Sequence, residues 1–395
     1  MKTYDFLIIG AGIFGVCTAI ELRKKNYSVA ILNPDSIPHP LAASTDISKI
    51  IRMEYGSDVE YMDMAIESLD IWRTWNELLG EKIFHETGFL LTTSTPLEEN
   101  RKSFDSASYF NLLQKGFTPE RLNNETPGKR YSAFRNANYT DGFFHAKGGY
   151  AESGRAVELL ANYARSLGVE IHEGQTAETL CPRNGKIERV TTKEGANFSV
   201  GQVIVCAGNF THYLVPDLQP YFKVTGHPVF HIQPRQPELF TFPNFTVFAA
   251  DISKTGWYGF PLHPKEGVVK IANHGIGLEL HPGHDERIVT QENEQALRNF
   301  LKETLPDLAN DPIVYTRLCC YTDTLDGHFW IDNHPEIKNL TVGSGGSGHG
   351  FKMGPIIGAM IATVAEGGSH KWSARYRWRE LTKDTISQEE ARSKS

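Results

Sequence analysis

Cysteine is scarce in this sequence and shows no pairing pattern. The five, Cys17, Cys181, Cys206, Cys319 and Cys320, are odd in number and include no CxxC spacing. That argues against a disulfide framework or a zinc knuckle and fits a reducing compartment. No apolar run reaches the roughly 18–20 residues that span a bilayer, so no membrane association is expected. Basic charge is not concentrated either. Lys and Arg number 40 against 47 Asp and Glu, a net charge of −7. Without a basic stripe the electrostatic footprint of a nucleic-acid binder is missing. Met1-Lys2-Thr3-Tyr4 leads straight into strand-like residues, and no signal peptide is expected. The N-x-S/T matches from Asn26 to Asn339, Asn124 among them, therefore read as chance. Ser393-Lys394-Ser395 is only a loose likeness of the peroxisomal S-K-L address, and the expected location is cytoplasmic. Repeats and low-complexity linkers are missing too.

What remains is an ordinary globular composition with one excess. Hydrophobic residues make up 40% and charged residues 22% of 395 residues, enough chain for two domains. Glycine, at 35 residues, hints at backbone held close to a ligand. Residues 5–9 read as a buried strand, 13–25 as a helix and 28–32 as a second strand, a right-handed crossover unit. A long amphipathic helix is expected over 61–79 and strand material over 83–93. Short β-like runs broken by Pro and Gly from 224 to 271 suggest an antiparallel sheet. A helix at 291–305, a strand at 339–343 and an apolar helix at 355–366 follow, and the tail beyond about Ala374 reads as polar and loose.

Between the first strand and helix stands Gly10-Ala11-Gly12-Ile13-Phe14-Gly15, a G-x-G-x-x-G fingerprint for a dinucleotide. Gly10 permits the tight turn, Gly12 lets a pyrophosphate approach the backbone, and Gly15 lets helix and strand pack closely. The helix N-terminus then faces the phosphates. Asn33 stands where an acidic ribose ligand usually ends the second strand, and its carbonyl oxygen can accept from a ribose hydroxyl. No Arg or Lys follows to pair a 2′-phosphate.

Four further segments carry a resemblance. They are Ser44-Thr45-Asp46-Ile47-Ser48-Lys49-Ile50-Ile51-Arg52, then Gly256-Trp257-Tyr258 with Lys270 to His274, then Arg317-Leu318-Cys319-Cys320, and finally Gly343 to Lys352. In order and spacing, from about Tyr4 to Gly368, the chain resembles the monomeric sarcosine oxidase family. That family includes N-methyltryptophan, pipecolate and fructosyl amino acid oxidases. The resemblance implies a Rossmann-like FAD-binding domain (1–84, 148–216 and 322–375) interleaved with an antiparallel-sheet substrate domain (85–147 and 217–321), with 376–395 as a polar tail. The fold class is thus α/β plus α+β.

The same resemblance implies oxidation of the C–N bond of a small secondary or N-substituted amino acid, giving an imine and H2O2. Arg52 and Lys352 would clamp the substrate carboxylate, a task suited to a planar, always-charged guanidinium. Tyr258 and His274 match active-site residues. Lys270 matches the lysine that activates O2, where a buried cation stabilises a developing anion; read alone, its alternation with Val269 and Ile271 would turn it outward. Cys319 matches the cysteine that ties the flavin covalently, and a thiolate near cations is suited to that. Gly208, Gly346 and Gly348, with Ser44, Thr45 and Lys49, complete the implied FAD contacts. Lysine at position 49 resembles the fructosyl amino acid and saccharopine oxidase branch, which stays open as an alternative substrate class. A flavin-binding sensor without turnover is the rival of another kind. His281-Pro282-Gly283-His284-Asp285-Glu286 fits no familiar ligand spacing, so no metal is expected. The implied partners are a small amino acid and O2, on a monomer or small homo-oligomer.

Overall fold

The computed structural model describes residues 3–122, 127–135 and 137–394; Asn124 and Ser395 lie outside the described residues. Its first layer is a parallel sheet. Strands Leu340–Ser344, Asn197–Val205, Thr3–Ile9, Val29–Asn33 and Glu170–Glu173 lie side by side in that order. Thr3–Ile9 and Val29–Asn33 are dense in Ile, Leu and Val because a parallel sheet is covered on both faces. Helices Ile13–Lys24, Ser153–Ser166 and Gly354–Ala365 share one core cluster with the face of Phe6, Ile8 and Ile31. Strands Ala177–Arg183 and Lys186–Thr192, which pattern reading had not picked out, extend this sheet as an antiparallel hairpin.

The crossover turn depends on glycine. A Cβ at Gly15 would sit 1.9 Å from the carbonyl oxygen of Gly10, inside any allowed contact. Gly15→Ala is therefore expected to destabilise the fold by about 1–3 kcal/mol, as overpacking does. Thermal unfolding with and without added FAD checks this, and an unchanged midpoint would contradict it.

The second layer is the expected antiparallel sheet. Its centre is Phe222–Ile232, flanked by Ile313–Thr324 and Val269–Asn273; Trp257–Gly259, Val247–Ala250, Phe89–Thr93 and Asp141–His145 follow outward. Val247–Ala250 and Phe89–Thr93 pair in parallel, the exception in an antiparallel run. The stretch expected as one run over 83–93 divides at Gly88, whose φ is +82°. Phe84–His85 joins a small sheet with Gly149–Ala151 and Lys49–Ile51, while Phe89–Thr93 joins the large one. The helix expected at 61–79 runs Val59–Leu78, its N-terminus capped by Asp58. Among the described residues no helix is long and apolar enough to cross a membrane.

The C-terminal segment differs from expectation. It is not loose: Ala391, Arg392 and Ser393 are buried, and the Arg392 guanidinium lies 2.8 Å from Asp323. Polar composition had suggested solvent, but these polar groups have partners inside the protein.

Candidate active site

The dinucleotide turn is fastened by side chains from two later segments. The Ala11 N–H donates to Asn33 Oδ1 at 3.2 Å, and the Ile13 N–H donates to Ser44 Oγ at 3.1 Å. Asn33 Nδ2 donates to the carbonyls of Asp35 and Ser36, at 2.7 and 3.3 Å. Asn33 thus stands at the expected strand end, but its amide mainly holds the turn. One Oδ1 lone pair remains for a ribose hydroxyl. Gly10, Gly12, Gly15, Asn33 and Ser44 therefore gather at one helix N-terminus.

A cavity between the antiparallel sheet, the Lys49–Arg52 segment and the Gly348–Lys352 turn collects most of the remaining candidates. Lys49, Arg52, Tyr258, Lys270, His274, Cys319, Gly348 and Lys352 all line it. Thr45, Gly208 and Gly346 do not; a Cβ at Gly346 would lie 3.7 Å from the Phe14 ring, so that glycine faces the dinucleotide helix instead.

Arg52 and Lys352 converge from distant parts of the chain. Each lies over the Tyr55 ring, at 5.0 and 5.2 Å from its centroid. Helix Val59–Leu78 positions Lys352 through its backbone, since Trp72 Nε1 and Ser68 Oγ donate to the Lys352 carbonyl at 2.8 and 2.5 Å. Lys352 Nζ donates to Tyr55 Oη at 3.1 Å and to the His349 carbonyl at 2.9 Å. Burial, reinforced by the Arg52 charge, pulls its pKa down to about 7. An ammonium held in this way gains from an arriving carboxylate.

Lys270 is 2% exposed, so strand alternation read alone misplaces it. Its strand is interior to the sheet, and the segment 46–48 covers the face that alternation assigns to solvent. Lys270 Nζ lies 2.7 Å from Asp46 Oδ2 and 2.5 Å from the Ser48 carbonyl. Burial lowers the Lys270 pKa to about 8, against the pull of Asp46. Burial pushes the Asp46 carboxyl up, but Lys270, His231 and Lys49 hold it well below the usual carboxylate range. Asp46 sits within a segment already picked out by resemblance, yet nothing local marks it as a partner for residue 270.

Cys319 and Cys320 point to opposite faces of strand Ile313–Thr324, as period two requires. Cys319 lines the cavity beside Tyr258 and Tyr321, whereas Cys320 packs with Val224, Leu280 and Leu318. Burial raises the Tyr258 hydroxyl's pKa, keeping it protonated. His274 Nε2 is 3.2 Å from Glu389 Oε2, and burial lowers its pKa. Glu389 also accepts from Arg52 Nη2 at 2.6 Å. Sequence reading missed Glu389, which sits in a polar segment without periodicity.

The residues present fit FAD. Among the described residues, the buried Thr45 Oγ1 and Ser48 Oγ have no hydrogen-bond partner in the protein. Buried polar groups left this way are costly unless a ligand satisfies them. Both lie on the segment that leads from Ser44, fastened to the dinucleotide turn, to Lys49 and Arg52 at the cavity.

Known proteins resemble nearly the whole chain. The family model described as FAD dependent oxidoreductase matches residues 5–364. The L-saccharopine oxidase of Schizosaccharomyces pombe is 30% identical, over 95% of this chain and 93% of its own. A monomeric sarcosine oxidase of Bacillus sp. is 26% identical over 92% of each chain. Among solved structures, a fructosyl amine:oxygen oxidoreductase (Amadoriase I) from Aspergillus fumigatus superposes with a TM-score of 0.80 at 25% identity, covering 95% of this chain and 90% of that one.

Proposed function

Since the chain belongs to the FAD dependent oxidoreductase family, we propose that the cavity of Arg52, Lys270 and Lys352 is where it oxidises a small secondary or N-substituted amino acid. The protein is an FAD-dependent amine oxidase of the sarcosine oxidase type. The supporting observation is that three buried basic side chains from three separate segments line one cavity. The interleaved parallel-sheet segments hold the dinucleotide, and the antiparallel sheet supplies the substrate side.

FAD, when bound, supplies the two-electron acceptor for the C–N bond. Gly10, Gly12, Gly15, Ser44, Thr45, Lys49, Gly208, Gly346 and Gly348 would hold it. The chain's own work is positioning and charge. Arg52 Nη1 and Lys352 Nζ take the substrate carboxylate. The nearby cations lower the amine pKa and so favour the neutral amine whose C–N bond can be oxidised. The Tyr258 hydroxyl, kept protonated, offers a donor at the cavity wall. The imine product leaves and hydrolyses in solvent. Lys270 holds positive charge where O2 becomes an anion on its way to H2O2. A cytoplasmic location accompanies this reading, in line with the five free cysteines.

Cys319, which lines the cavity while Cys320 packs on the other face, is the proposed flavin tether. Acid-precipitated wild-type protein is expected to stay yellow. Cys319→Ser should release all its flavin to the supernatant, and Cys320→Ser should release none. Wild type losing its flavin on acid treatment would remove the tether from the account.

Oxygen-electrode traces test the oxidase assignment. N-substituted amino acids should drive O2 consumption with one H2O2 formed per O2. Turnover seen only with an artificial electron acceptor would make the protein a dehydrogenase instead.

A further inference from the structure

The C-terminal segment is anchored to the protein and contributes Glu389 to the cavity lining. The Ser387 N–H donates to the Leu325 carbonyl at 3.0 Å, and the Ser393 N–H donates to the His274 carbonyl at 3.0 Å. Between them, Arg392 pairs with both oxygens of Asp323, at 2.8 and 2.9 Å, and donates to the carbonyls of Gly275 and Ile276, at 2.9 and 3.1 Å. Arg392 and Asp323 are both buried. This anchoring fixes where Glu389 stands.

Glu389 lines the same cavity as the three basic side chains. Its carboxylate and the Arg52 guanidinium, 2.6 Å apart, are each 5% exposed. Burial pushes the Glu389 carboxyl up, but Arg52, His274, His349 and Lys352 outweigh it and hold the group ionised. A carboxylate offers about four lone-pair positions, and Arg52 and His274 engage two. On the other side of the pair, Arg52 Nη1 is buried without a partner among the described residues.

We infer that Glu389 is a specificity-determining residue, selecting substrates with one carboxylate and a neutral or cationic substituent on the reacting nitrogen. The inference rests on the oxidase reading and deepens it. With Nη2 donating to Glu389 and Nη1 buried without a partner among the described residues, a substrate carboxylate lies between Nη1 and Lys352. A second carboxylate on the substrate meets Glu389 inside a poorly screened cavity, where like charges repel strongly. An ammonium there finds unused Glu389 lone pairs. Lys49, whose ammonium is 5.9 Å from the Phe351 ring centroid, is the competing attraction for an anion. The test weighs the two directly.

Three N-substituted glycines serve as probes: N-propylglycine, N-(2-carboxyethyl)glycine and N-(3-aminopropyl)glycine. Anaerobic flavin reduction gives a Kd and a limiting rate for each. Wild type should bind the aminopropyl compound at least about tenfold more tightly than the carboxyethyl one, the scale of one charged contact in a buried site. Glu389→Gln keeps the shape and an acceptor for Arg52, and should abolish that preference through Kd. Glu389→Asp should restore it. A wild-type preference for the dicarboxylate would overturn the inference. So would a Glu389→Gln variant that shifts all three probes by one factor, the mark of a structural role. Flavin reduced by none of the three in wild type, nor by any other N-substituted amino acid, would instead end the oxidase reading itself.

Discussion

Lys270→Met is expected to slow the return of electrons to O2 by about a hundredfold to a thousandfold, the loss typical of removing one preorganised electrostatic contact. Anaerobic reduction by substrate should stay within a few-fold of wild type. The reason is the position and charge of one ammonium. It is buried, fixed by Asp46 and the Ser48 carbonyl, and has a pKa of about 8. It is therefore mostly charged at neutral pH. The first electron added to O2 creates an anion, and a cation already in place stabilises it without reorganisation. Methionine fills similar space without charge but removes the ammonium that Asp46 Oδ2 contacts, leaving that buried carboxylate less compensated, which is itself destabilising. The double variant Asp46→Asn with Lys270→Met separates the two effects. It should regain thermal stability but not O2 reactivity. Stopped-flow traces of both half-reactions make the measurement, and equal losses in both would remove Lys270 from this role.

Arg52→Ala should raise the Michaelis constant by about tenfold to a thousandfold, as expected when a buried charged contact to a ligand is truncated. The limiting rate should fall less, because the clamp holds substrate and transition state alike. Two losses combine. The substrate carboxylate keeps only Lys352, and Glu389 keeps only His274 as a direct partner, so the cavity becomes more negative. Steady-state kinetics across substrate concentration decide it. An unchanged Michaelis constant would contradict the clamp.

How far the sequence revealed this site depended on how local the cause was. The glycine turn at Gly10–Gly15 is set by neighbours in the chain, and it lies where pattern reading put it. The opposite facing of Cys319 and Cys320 follows from strand alternation alone. Lys270 shows the limit of the same rule: alternation names a face, but the segment 46–48 that covers that face arrives from more than two hundred residues away. The run at 83–93 looks continuous in composition, yet its two ends pair with different sheets. Glu389 was illegible for a related reason. Its burial depends on Arg52, and on an Arg392–Asp323 anchor, neither of which leaves a periodic trace. The family resemblance supplied Arg52, Lys270 and Lys352, and the cavity brings them together.

The most direct test of the central claim is a visible spectrum taken without oxygen. Purified protein should show bound flavin that bleaches when an N-substituted amino acid is added, and the colour should return when air is admitted. A flavin that keeps its colour across a full panel of secondary amino acids would contradict the account.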